Sequence, residues 1–174
     1  MPAYVNYLYD GSLAGFYCCV HRSVYGRELP QGIYPEAAAP QTLFPMKFIP
    51  ADQERAGRVR ASIPAKISPN ALHVTETVFL SCLAAKERKL LDYLLLGYQE
   101  GKRLDRMLGR EAVAPVLDAY KGFWRERHHL LGFIRFADYG GALVSVISPK
   151  NFVLPYLARH FVSRYGDENF MIYD

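Results

Sequence analysis

Apolar residues recur along the chain with two periods, and the switches between them predict its elements. Tyr4–Tyr9 is a β-prone run closed by the turn pair Asp10-Gly11. Ser12 then serves as N-cap for a helix with Leu13, Phe16, Tyr17, Val20 and Val24 at spacings of three or four, ended by Gly26. Residues 27–50 carry five prolines and read as an extended loop. Four helical segments follow: Asp52–Ile63, stopped by Pro64; one opened by Ser68-Pro69; Glu87–Glu100; and Glu111–Leu131. The period then shortens. Phe133–Phe136 and Ala142–Ile147 read as strands of a hairpin through Asp138–Gly141. A helix over Asn151–Tyr165 and a strand over Phe170–Tyr173 complete the order, with Pro155 early enough to be tolerated in the helix's first turn.

That order is β, α, a helical block, β, β, α, β. The expected fold class is therefore α+β: a ferredoxin-like βαββαβ antiparallel sheet with a helical block inserted between the first helix and the second strand. A length of 174 residues fits one domain, 1–174, with 51–131 as the insertion.

Composition narrows the class. With 51% hydrophobic and 22% charged residues the chain is not a disordered one. No apolar run reaches the ~18 residues of a membrane span, and no basic segment precedes the first apolar stretch. The expectation is a cytoplasmic protein without membrane contact. Cys18, Cys19 and Cys82 are odd in number and form no CxxC pair, so they read as structural, with no metal or cofactor site of their own. The net charge of +4 is concentrated in residues 51–127, where fourteen Lys/Arg face ten Asp/Glu. Thirteen Tyr and ten Phe make the chain rich in rings that either pack or stack on bases.

Signatures of phosphate loops, dinucleotide sites, zinc proteases and hydrolase elbows are missing from the sequence. His128 and His129 are adjacent and diverge on a helix; His21 and His73 stand alone. His160 and Arg164 share a helix face with Arg159 beside them, a cluster suited to phosphate or carboxylate, or simply an exposed surface. In a strand, Phe133 and Arg135 would share the open sheet face as a base-stacking and phosphate platform. Alternatively, Arg135 pairs with Glu126 or Asp138. Asp10, Glu126 and Asp138 are the acid/base candidates, by their position near strand ends alone.

Tyr9-Asp10-Gly11-Ser12, His128–Phe136 and Leu157–Phe161 leading to Ile172-Tyr173-Asp174 together resemble the DUF4130 family. Gln41–Phe44 and Arg55–Val59 fit the same pattern. The resemblance implies a bacterial DNA-metabolism or repair protein, paired with a radical SAM protein and in some members fused to a uracil-DNA-glycosylase-like domain. It also implies a further C-terminal region beyond Asp174, and it carries over no catalytic residues. The expected function is thus a DNA- or RNA-associated module working with a radical SAM partner and not catalytic alone. Arg135, Arg159, His160 and Arg164 are its expected nucleic-acid contacts. Two other readings stand beside it: an enzyme acting on a damaged base or nucleotide, and a protein-interaction scaffold.

Overall fold

A computed structural model describes residues 4–174. The chain is α+β, with two small sheets and six α-helices among the described residues.

Strand β1 (Asn6–Tyr9) leads into α1 (Leu13–Gly26), where the Ser12 side chain accepts the Gly15 amide at 2.9 Å, as its N-cap position requires. The following segment is not the structureless loop its prolines suggest. It contains β2 (Ile33–Pro35) and β3 (Met46–Phe48), both parallel to β1 and lying on either side of it. Each is a three-residue edge strand, and Pro35 closes β2, where a missing amide donor breaks no interior ladder. The central strand β1 buries Asn6, Tyr7 and Tyr9.

Helix α1 packs on β1 and α4 (Lys86–Glu100) on β2, while α2 (Gln53–Lys66), α3 (Pro69–Phe79) and the start of α5 (Ala114–Phe133) pack against these helices and complete the same core. Helix α2 runs through Pro64, where a stop was expected. Ile63 and Ile67 are both buried and joined by an amide–carbonyl bond of 2.8 Å, so the last turn is anchored despite the missing donor. Helix α3 starts as expected, with Ser68 accepting the Ala71 amide at 3.0 Å.

The second sheet joins β4 (Ala137–Asp138), β5 (Ala142–Val146) and β6 (Asn169–Tyr173). β4 is antiparallel to β5, through a turn in which Gly140 and Gly141 adopt positive φ, and β6 is parallel to β5. Helix α6 (Leu154–Arg164) packs on it with Phe123, Val153, Leu157 and Phe161 as core. The expected single ferredoxin-like sheet is therefore corrected. β1 pairs with β2 and β3, not with the C-terminal strands, and the helices belong to the first core rather than interrupting one sheet.

The strand expected at Phe133–Phe136 is also corrected. Phe133 closes α5, its ring stacked on His129 one turn earlier at 4.3 Å, and β4 begins only at Ala137. The local helical pairing outweighs the β propensity of a short aromatic run.

Candidate nucleic-acid interface

The residues expected to bind phosphate are exposed but do not form one site. Arg135 donates to the carbonyls of Gly132 (3.2 Å) and Ile134 (3.3 Å), so it caps the end of α5 and does not lie on a sheet face. It borders a cavity of about 290 Å³ with Phe133 and Val146. Arg159, His160 and Arg164 all lie on the exposed side of α6. The His160 ring meets Phe161 edge-on at 5.1 Å, and the Arg164 guanidinium lies over Tyr165 at 5.6 Å. No hydrogen bond or ion pair among the described residues links Arg135 to these three.

The acid/base candidates are separately occupied. Asp10 accepts from the Ser12 amide (3.0 Å) and hydroxyl (2.7 Å), and Asp138 accepts the Gly141 amide at 2.8 Å in the hairpin turn. Glu126 accepts the Lys150 and Asn151 amides at 2.7 and 3.0 Å, tying the β5–α6 connection to α5. Burial would raise this carboxyl, but those amides hold it below the usual carboxylate range. Among the described residues neither Glu126 nor Asp138 forms an ion pair with Arg135. No group of three His, Cys, Asp or Glu residues able to hold a metal occurs among the described residues. No helix among the described residues is long and apolar enough to cross a membrane.

Convergent chemistry lies elsewhere, in a groove between α1 and α2. Its cavity of about 620 Å³ is lined by His21, Arg22, Tyr25, Lys47, Phe48, Arg55 and Arg58. His21 and Tyr25 are four residues apart on α1, so they share a face, and their rings stack at 4.3 Å with 25° between planes. Tyr25 is 76% exposed, so its outer face is open to a further ring. Phe48 is also exposed, at the end of edge strand β3. Arg55 and Arg58 come from α2, whose apolar residues Ala56, Val59 and Ile63 are buried and turn the arginines outward.

The two helices are held in register by a sulfur contact. Cys18 of α1 accepts the Asp52 amide at 3.2 Å and donates to the Asp52 carbonyl at 3.4 Å, while the Asp52 side chain caps α2 by accepting the Arg55 amide at 2.8 Å. Cys19 is buried among apolar groups; burial first, then the charges around it, push its thiol far above the usual range, so it is inert packing. Cys82 is exposed.

Electrostatically the groove keeps an excess of positive charge. Glu28 pairs with Lys47 at 3.0 Å and more loosely with Arg22 at 3.8 Å; Asp52 pairs with Arg55 at 3.6 Å and Glu54 with Arg58 at 3.7 Å. Four cations thus share three carboxylates, and the exposed Arg55–Asp52 and Arg58–Glu54 pairs are individually weak enough for a phosphate to displace. Burial, then the Arg58 and Arg55 charges, depress the His21 imidazole below its ordinary range, so it is a neutral ring at pH 7. By contrast, the larger cleft of about 700 Å³ between α4 and the start of α5 mixes Lys89 and Arg110 with Asp92 and Glu111 and favours neither sign.

A family profile described as a domain of unknown function, DUF4130, matches residues 84–174, just over half of the chain. The chain belongs to the DUF4130 family. No curated protein and no solved structure matches it. In this DUF4130 protein the matched segment takes in α4, α5, α6 and the second sheet, whereas the α1–α2 groove precedes it.

The sequence places Arg55 and Arg58 on the helical segment Asp52–Ile63 but does not show the groove. His21 and Tyr25 carried the available signal, an aromatic pair at helical spacing beside Arg22. What could not be read was that α1 and α2 bring the rings and the arginines together.

Proposed function

We propose that this DUF4130 protein is a nucleic-acid-associated module that holds single-stranded DNA or RNA in the α1–α2 groove. The observation that carries this reading is the stacked His21–Tyr25 pair, open on one face and flanked by Arg22, Arg55 and Arg58. An aromatic platform beside a cationic track is the arrangement by which unpaired bases and their phosphates are bound with little sequence preference. The exposed cations of α6, Arg159 and Arg164 with His160, and Arg135 at the end of α5 supply a second, weaker phosphate contact.

In this reading the protein serves bacterial, cytoplasmic DNA repair or modification. It presents a strand to a radical SAM partner, which brings the cofactor chemistry, or to a uracil-DNA-glycosylase-like domain. Fluorescence anisotropy with labelled single-stranded and duplex oligonucleotides tests it. Single strands bind more tightly, Arg55→Ala and Arg58→Ala weaken binding, and Arg159→Ala weakens it less. No binding at low salt, with no copurifying radical SAM protein, would overturn it.

A further inference from the structure

Behind the stacked rings, the groove continues into a smaller and more enclosed cavity between α1, α2 and α4. It measures about 190 Å³, below the ~300–1,000 Å³ usual for drug-sized ligands, so it accommodates a single small ring system. His21, Tyr25 and Arg58 line both the groove and this cavity and form its mouth. Val20, Val24 and Val59 give apolar walls for a flat ring. The remaining lining is polar: Ser62, Lys66 and Tyr98.

The hydrogen-bond directions inside the cavity are fixed. Ser62 Oγ donates to the Val59 carbonyl at 2.7 Å, so its only hydrogen is committed. It also lies 2.7 Å from Tyr98 Oη, and the Tyr98 hydroxyl must therefore be the donor in that contact. Burial raises the Tyr98 phenol above its usual range, with the Ser62 contact opposing, so it keeps its proton. Tyr98 Oη is left able only to accept, while the nearby Lys66 ammonium can only donate. Adjacent donor and acceptor groups are what every nucleobase carries on its pairing edge.

We propose that this cavity receives one unstacked nucleobase from the strand held in the groove, with the base between the valine walls, its pairing edge on Tyr98 Oη and Lys66, and its phosphate at Arg58. The proposal rests on the reading of the groove as a single-strand site and adds to it a pocket for an extruded base, the geometry by which proteins inspect bases outside the stack. A free nucleotide offers the same chemistry, and the test separates the two sources.

The test uses labelled oligo(dT), a strand of equal length made only of abasic sites, and thymidine 5′-monophosphate. Wild type binds oligo(dT) about tenfold more tightly than the abasic strand, the scale of one base contact. Val24→Phe places a ring in the cavity from a position that is 40% exposed, so folding is preserved. Tyr98→Phe removes the acceptor together with the hydroxyl that donates to Ser62 Oγ. Both variants bring oligo(dT) binding toward that of the abasic strand, with salt dependence unchanged and with cooperative circular dichroism melts that show both to be folded.

Oligo(dT) affinity equal to wild type in both variants, with salt dependence intact, would overturn the pocket and leave the groove standing. Loss of salt-dependent binding in the wild type itself would overturn the groove. Shifts of the Val24 and Val59 methyl resonances by the monophosphate, without strand binding, would identify the ligand as a free nucleotide and overturn the extruded-base proposal.

Discussion

Cys18 Sγ lies within hydrogen-bond reach of both backbone groups of Asp52, 3.2 Å from its amide nitrogen and 3.4 Å from its carbonyl oxygen. A single thiol thereby joins the middle of α1 to the residue that caps α2. The orientation of Arg55 and Arg58 toward His21 and Tyr25 depends on that junction. Cys18→Ala leaves the Asp52 amide short of a partner and a small void behind it, and the expected loss is about 1–3 kcal/mol. Urea denaturation measures it. A change within about 0.5 kcal/mol, the range of ordinary surface substitutions, would show that the junction is not structural.

Tyr9 and Glu87 are a second coupled pair, in the first core. Glu87 is 5% exposed, and its Oε1 accepts the Tyr9 hydroxyl at 2.9 Å. Burial, and then the Glu87 charge, keep the Tyr9 phenol far above its usual range and so protonated as the donor. Tyr9→Phe leaves a buried carboxylate without this donor and is expected to cost about 1–3 kcal/mol. The double variant Tyr9→Phe/Glu87→Leu is expected to recover part of that loss, and a double-mutant cycle by urea denaturation checks it.

Gly97 is required by packing rather than by backbone conformation. A Cβ there would stand 2.6 Å from Ile67 Cδ1 and 2.9 Å from Leu104 Cδ2, both on residues only 1% exposed. Alanine gains up to about 1 kcal/mol of helix propensity. Overpacking a filled core costs about 1–3 kcal/mol, so the clash wins and Gly97→Ala lowers stability. A raised melting temperature would contradict this packing.

His21 links pH to stability. Its imidazole is depressed by burial and by Arg58 and Arg55, with Asp52 opposing. A histidine with a lowered folded pKa binds fewer protons folded than unfolded. Its contribution is therefore complete above the unfolded value of about 6.5 and is lost as pH falls through that value toward the folded pKa. His21→Asn removes this component. Between about pH 7.5 and 5.5 the wild type is expected to lose more stability than the variant, as urea titrations at the two pH values will measure. Identical pH dependence in both proteins would place His21 in an unperturbed environment.

How much of this was readable from sequence depended on how local the determinant was. Ser12 and Ser68 marked the starts of α1 and α3 because an N-cap acts within three residues, and Gly140-Gly141 marked the hairpin because positive φ is a property of the turn itself. β2 and β3 were hidden because three residues between prolines show no period, and they are strands only because β1 lies between them. Arg135 was misplaced because the His129–Phe133 stack extends α5 into a segment with strand-like composition. The groove was invisible for a related reason. His21 and Tyr25 fall in one predicted helix and Arg58 in another, but Cys18 and Asp52, thirty-four residues apart, set those helices against one another.

The most direct test of the central claim is the salt dependence of oligo(dT) binding, read by anisotropy in the wild type and in the double variant Arg55→Ala/Arg58→Ala. If these arginines neutralise phosphates, log affinity falls linearly with log salt, and the double variant's slope is shallower by about 1.4, at roughly 0.7 per single-strand contact. Equal slopes, or no salt-dependent binding in the wild type, would contradict the assignment of the α1–α2 groove as a nucleic-acid interface.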